Sequence, residues 1–198
     1  EELEAMNEEL KAQTEELELS YNENSKLISR IESILKHTIN LYEYKNDDEF
    51  LIETYKILNE FIEEADYGIV VKFQEDKMEF IYGKGHDYIG LNELKLPFAQ
   101  GITFDEVKII EGPIMRHAKN IDYDRVKDFL KPVKDTMIIP IKVNENTFGA
   151  ISYNIKKDSE NVFSDESIRL SKYFQNLMNM FQNIKMNEEN LKSSYKNF

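Results

Sequence analysis

The sequence predicts an α+β protein in which a central antiparallel sheet of about six strands carries helices on both faces and is flanked by long N- and C-terminal coiled-coil helices. Three features carry this expectation. Through residues 1 to 42, which lack glycine and proline, apolar side chains recur at alternating steps of three and four. From Tyr67, and again from Met137 to Ile155, the apolar period becomes two. After Phe163 the helical period returns.

Written as heptads, the first helix has Leu3, Leu10, Leu17, Asn24, Ile31 and Thr38 at a, with Met6, Gln13, Ser20, Leu27, Ile34 and Leu41 at d. A 3.5-residue period this long imposes a left-handed supercoil, so a partner helix is needed to cover the seam. Asn24 at an a position is the residue type that pairs with its own copy in a two-stranded parallel coil. Tyr21, Ile28 and Leu35 widen the stripe in the second half of the helix. A second helix starts at Asn46, with Glu49 completing a capping box, and buries Leu51, Tyr55, Leu58, Phe61 and Ile62.

Ile69, Val71 and Phe73, then Met78, Phe80 and Tyr82, alternate on either side of a Glu75-Asp76 turn and make a first hairpin. An extended piece through Leu94 and Leu96 stops near Pro97. Thr103 and Glu106 cap a short helix ending at Gly112, and Pro113-Ile114-Met115 opens another short strand. Residues 122–130 read as a helix with Tyr123, Val126, Phe129 and Leu130 inward. Met137, Ile139, Ile141 and Val143 alternate, Asn144-Glu145-Asn146 turns the chain, and Phe148 to Ile155 returns, with Gly149 permitting a close backbone approach.

Ser164 caps the last helix, whose seam is Leu170, Phe174, Leu177, Phe181, Ile184, Leu191 and Tyr195, interrupted at Glu188. Both terminal seams ask for a second copy, so the expected assembly is a parallel homodimer. Its interface comprises Leu3, Met6, Leu10, Leu17, Asn24, Leu27, Ile31, Ile34, Phe174, Leu177, Phe181 and Ile184. The expected organisation is a coiled-coil signalling helix over 1–45, a sensory domain over 46–186, and a continuing helix over 187–198 that leads toward an output domain.

A formal charge of −13 and a pI near 4.8 argue against duplex nucleic acid or an anionic membrane as partner, because no basic face releases phosphate counterions. There is no cysteine, which excludes structural disulfides, thiolate zinc sites, thiol nucleophiles and thioether-linked chromophores together. A reducing cytoplasm fits. No apolar run approaches the ~20 residues of a membrane span, and no signal peptide opens the chain. The start inside a helix reads as a piece of a longer protein.

The order helix, hairpin, strand, short helices, hairpin, helix resembles the GAF domain over residues 47–186. The resemblance rests on Ala65-Asp66-Tyr67-Gly68, on Glu111-Gly112-Pro113-Ile114, on Pro140 followed by Gly149-Ala150-Ile151-Ser152, and on Phe163-Ser164-Asp165-Glu166. The opening Glu2-Leu3-Glu4-Ala5-Met6-Asn7-Glu8-Glu9-Leu10 looks like the connectors that join PAS and GAF units to kinase or cyclic-di-GMP output domains. It implies a ligand pocket on the sheet face opposite the terminal helices, among Leu96, Phe98, His117, Asn120, Tyr123, Ile139 and Tyr153. The family's cyclic-nucleotide signature is missing. Without cysteine, neither a covalent bilin nor the methionine-sulfoxide-reductase chemistry of some GAF proteins operates, and the cofactor stays unnamed.

Of three histidines, His37 is expected solvated and His86 in an exposed loop, while His117 ends a strand beside the pocket. No nucleophile elbow, phosphate loop or metal-binding helix is present, so no catalytic residue is assigned and the fragment is not expected to be an enzyme. The resemblance implies a regulatory sensory domain of a multidomain bacterial signal-transduction protein. It would bind a small ligand, dimerise, or both, to control a diguanylate cyclase, a cyclic-di-GMP phosphodiesterase or a histidine kinase. The alternative is a ligand-free dimerisation and signal-relay spacer.

Overall fold

The computed structural model describes residues 2–40, 44, 46–74, 77–102 and 105–196. The chain divides into two compact units, Glu1–Tyr42 and Glu43–Phe198. The first is one helix, α1 (Glu2–Asn40), on which Leu3, Met6, Leu10 and Leu17 are largely exposed, as a helix with an apolar seam and no partner must leave them. Leu41 lies outside the described residues, as do the side chains of His37 and Thr38.

The second unit runs α2 (Asp47–Asn59), β1 (Tyr67–Gln74), β2 (Lys77–Lys84), α3 (Tyr88–Glu93), β3 (Lys108–Glu111), β4 (Val133–Lys142), β5 (Thr147–Lys156) and α4 (Asp165–Lys196). Helix α2 begins as its sequence requires: Asn46 Oδ1 accepts from the Glu49 amide at 2.9 Å, and Asp47, Asp48 and Glu49 sit in the positive first turn. The sheet order is β2-β1-β5-β4-β3, antiparallel throughout, with five strands among the described residues where about six are expected.

The sheet has two differently filled faces. On one lie α2 and α4. Would-be Cβ atoms at Gly68 and Gly149 would meet Tyr55 at 2.5 Å and Leu51 at 2.3 Å, so glycine is what lets α2 lie this close to β1 and β5. The other face, under α3 and the connections, carries Ile69, Val71, Phe73, Phe80, Ile138 and Ala150 in one apolar cluster with Leu91, Leu96, Met115 and Val126. Phe73 and Phe148 stack there at 4.7 Å.

Both hairpins form. Gln74 pairs with Lys77 across the Glu75-Asp76 turn, which lies outside the described residues. At the other, Asn144 Oδ1 accepts from the Asn146 amide at 2.9 Å. Ser164 caps α4, accepting from the Ser167 amide at 3.2 Å, and Glu64 braces that end by accepting from the Ser164 amide and the Ser167 hydroxyl.

The middle of the chain departs from expectation. Extended structure at Leu94 and Leu96 gives way to the six-residue α3 and its exit, with one bridge from Lys77 to Pro97 remaining; Asp87 caps α3 by accepting from the Gly90 amide at 3.0 Å. The helix expected to end at Gly112 is instead the edge strand β3, whose Ile109 and Ile110 suit a ladder better than a short helix. Thr103, half of the expected cap, lies outside the described residues. The strand expected at Pro113 is a 3-10 turn, Ile114–His117, and the helix over 122–130 is two such turns, Tyr123–Arg125 and Lys127–Phe129. Such short segments bury too little of one face for apolar period to decide their type.

Candidate functional site

The residues expected around one pocket separate onto two sides of the sheet. Ile139 pairs with Ile151, and Met137 with Tyr153, so all four share the face covered by α2 and α4. Tyr153 stacks on Tyr55 at 5.0 Å and its hydroxyl donates to the Tyr55 carbonyl at 2.6 Å. Ile139 and Tyr153 are therefore core of the helix side, a correction that follows from strand parity: their neighbours Ile138 and Ser152 face the other way.

On the α3 side, Leu96 is buried in the apolar cluster and Phe98 packs its ring edge on Phe73 at 5.2 Å. Asn120 and His117 are exposed and hold backbone. The Asn120 amide donates to the Phe98 carbonyl at 2.8 Å while its oxygen accepts from the Gln100 amide at 2.7 Å. His117 Nε2 donates to the Glu111 carbonyl at 2.8 Å, and the residue sits in a 3-10 turn rather than at a strand end. Tyr123 is half-buried and lines a groove.

That groove, about 650 Å³, lies where β3, β4 and the 3-10 turns meet. Thirteen residues line it, five of them cations (Arg116, Lys127, Lys131, Lys134 and Lys157) against two carboxylates, Glu111 and Asp135. In a chain with 25 basic and 38 acidic residues this balance is inverted. A second hollow at the start of α2 is acidic, lined by Asp47, Asp48, Glu49 and Glu53 around Lys72. Burial disfavours the Lys72 ammonium, but Asp48 at 2.6 Å and Glu79 at 3.1 Å more than offset this and hold its pKa up. Because both carboxylates are about half exposed, Lys72→Met is expected to cost only about 1 kcal/mol or less, read as a small shift in the urea midpoint that shrinks at high salt.

The feature that sequence reasoning missed is His86, which is 7% exposed rather than in an exposed loop. Its Nδ1 accepts from the Lys131 amide at 3.1 Å and its Nε2 donates to Asn154 Oδ1 at 3.0 Å. Asn154 Nδ2 donates to Thr136 Oγ1, which donates to the Gly112 carbonyl, each at 2.7 Å. The polar side-chain groups of this hydrogen-bond series are all paired, and with Nδ1 accepting, the ring is neutral with its proton on Nε2. Burial lowers the imidazole pKa, and the nearby Lys131 charge adds to this, against the opposing effect of the hydrogen bond donated to Asn154. The available signal was Asn154 and Thr136, buried polar residues at paired positions of β5 and β4.

Helix α4 carries two stripes. Ser167, Leu170, Ser171, Phe174 and Met178 are buried, which moves Phe174 from the expected dimer interface into the domain core. About 100° round the helix, Tyr173, half-buried Leu177, Met180, Ile184 and Leu191 recur in steps of four, three, four and seven, and all but Leu177 are exposed. Phe181 is half-buried between the two stripes, and the side chain of Tyr195 lies outside the described residues. Among the described residues no group of three or more histidine, aspartate or glutamate side chains could hold a metal ion, and no helix is long and apolar enough to cross a membrane.

No protein-family model matches the chain, and no curated protein is similar to it. Solved structures are. The GAF domain of a protein described as a sensor histidine kinase from Pseudomonas syringae pv. tomato has a TM-score of 0.54 at 12% identity, over 88% of this chain and 99% of that one. A domain of a protein described as a two-component sensor histidine kinase from Sinorhizobium meliloti 1021 gives 0.51 at 12% identity, over 76% and 99%. The phycoerythrobilin-bound GAF domain of a cyanobacterial phytochrome gives 0.50 at 14% identity, over 80% and 97%. The fold is that of the GAF domains of bacterial signalling proteins.

Proposed function

We propose that this GAF fold is the regulatory sensory domain of a multidomain bacterial signal-transduction protein, and that it works as a parallel homodimer paired through its long helices. The observation that carries the reading is the second stripe of α4. A helix that only closed a domain would present solvent-exposed polar residues opposite its buried face. This one instead exposes Tyr173, Met180, Ile184 and Leu191 at heptad spacing, and α1 exposes Leu3, Leu10 and Leu17 at the same spacing. A paired seam has discrete alternative packings, so a ligand or a neighbouring domain that favours one of them passes a signal along the helices. The solved relatives described as sensor histidine kinases support a kinase as the output; cyclic-di-GMP enzymes are the other candidates.

Sedimentation tests the assembly. A dimer is expected at micromolar concentration, with Met180→Glu plus Ile184→Glu weakening it while leaving the circular dichroism spectrum unchanged. A monomeric wild type overturns the reading.

A second reading, a ligand-free relay spacer, has its own support: the sheet face expected to hold the pocket is filled by the apolar cluster around Phe73, Leu91 and Leu96. Thermal shift across metabolites separates the two. A ligand at 100 times its dissociation constant stabilises the protein by about 2.7 kcal/mol, and a flat response throughout favours the spacer.

A further inference from the structure

The geometry points to the groove between β3, β4 and the 3-10 turns as a binding site for a small molecule carrying two or more adjacent phosphate groups. The site stands independently of whether the helices pair. Two of its five cations have partners within the protein and, among the described residues, three do not. Lys134 Nζ is committed to the carbonyls of Ser159 and Asn161, and Lys127 to Asp124 at 2.8 Å. Arg116, Lys131 and Lys157 have side chains that make no hydrogen bond or ion pair among the described residues, although the chain has many more carboxylates than cations. Unpaired cations gathered in a concave wall focus positive potential, and their contacts to phosphate oxygens are charge-assisted.

The backbone that carries them is fixed. The Lys131 amide is held by buried His86, the Lys157 amide donates to the Pro132 carbonyl at 3.1 Å, and the Gly112 amide donates to the Lys134 carbonyl at 2.7 Å. The Gly112 carbonyl is held in turn by Thr136. At Gly112, with φ of +73°, a side chain would be strained although nothing lies within 4 Å of a would-be Cβ, so this part of the lining carries no side chain. Pro113, Tyr123, Leu130, Pro132 and Val133 supply an apolar wall for the carbon part of such a molecule. A volume of about 650 Å³ is within the range of small-ligand sites. Glu111 and Asp135 are also in the lining, so binding requires an anion that reaches several cations at once to outweigh them.

Calorimetry at low ionic strength, with tripolyphosphate, ATP and inorganic phosphate as probes, tests the site. Tripolyphosphate and ATP are expected to bind, phosphate far more weakly, and added salt to weaken all three. Arg116→Ala with Lys131→Ala is expected to lower affinity roughly tenfold or more without moving the melting temperature, because both side chains are exposed. Tighter binding of ATP than of tripolyphosphate assigns a role to the apolar wall, and equal binding places the recognition in the phosphates; both support the site. Lys157→Ala alone gives an independent reading should the double variant fold poorly. Lys56→Ala, a lysine outside the groove, is expected to leave binding unchanged. Absence of binding by both polyphosphates, or an equal loss in Lys56→Ala, overturns the site.

Discussion

Tyr153→Ala is expected to cost the domain about 3–5 kcal/mol and to lower the melting temperature by roughly 10–15 °C. The ring is fully buried, stacks on Tyr55 at 5.0 Å, and lies between β5 and α2, where no water can refill the space. Tyr153→Phe keeps the ring and loses only the bond to the Tyr55 carbonyl. Because that carbonyl belongs to a helix, the loss is about 1 kcal/mol. Comparable losses from both variants would contradict the packing account.

The same phenols set an alkaline limit. Burial raises the pKa of Tyr153 well above its usual 10, and burial with the nearby Tyr82 raises that of Tyr55. Unfolded tyrosines release their protons first, so stability is complete below pH 10 and falls as pH rises beyond it. In urea titrations, Tyr153→Phe flattens this fall.

His86→Leu is expected to cost about 2–4 kcal/mol, since it strands the Lys131 amide and Asn154 Oδ1 in a part-buried place where each unpaired group costs 1–3 kcal/mol. It also changes the response to acid. The folded state holds His86 neutral and its pKa is lowered, so the unfolded chain binds the proton first as pH falls through 6.5. Stability therefore drops below pH 6.5, by at most about 1.4 kcal/mol per pH unit for one proton. His86→Leu is expected to remove that slope. The pKa of Glu64 is also lowered: burial would raise it, but hydrogen bonds from Ser164 and Ser167 outweigh burial, so its contribution is lost only as pH falls below 4.5, in a separate range. A wild type whose urea midpoint is the same at pH 7.5 and pH 5.5 would sink the neutral-His86 account.

Legibility followed the length over which a residue pattern repeats. The two long helices, both hairpins and the caps at Asn46 and Ser164 were readable, because each rests on a run of side chains or on contacts within three residues of a terminus. The segment from His86 to Leu130 was not. Its elements are three to six residues long, and their type is set by what they pack on: α3 and the 3-10 turns on the apolar cluster that includes Phe80 and Ile138, and β3 against β4.

The candidate site divides the same way. Sequence alone determined an acidic, cysteine-free chain with an apolar heptad pattern along α1 and a sheet built from two hairpins, since composition and period need no tertiary partner. Only the fold decided that Ile139 and Tyr153 face the helices, that Phe174 belongs to the core while Tyr173 and Met180 form the free seam, and that His86 is buried. It also gathered five cations, spread from Arg116 to Lys157, into one groove. The physical reason is that strand parity, helix rotation and the burial of an isolated polar side chain are each fixed by packing between segments far apart in sequence, where a shift of one residue reverses which face a side chain occupies.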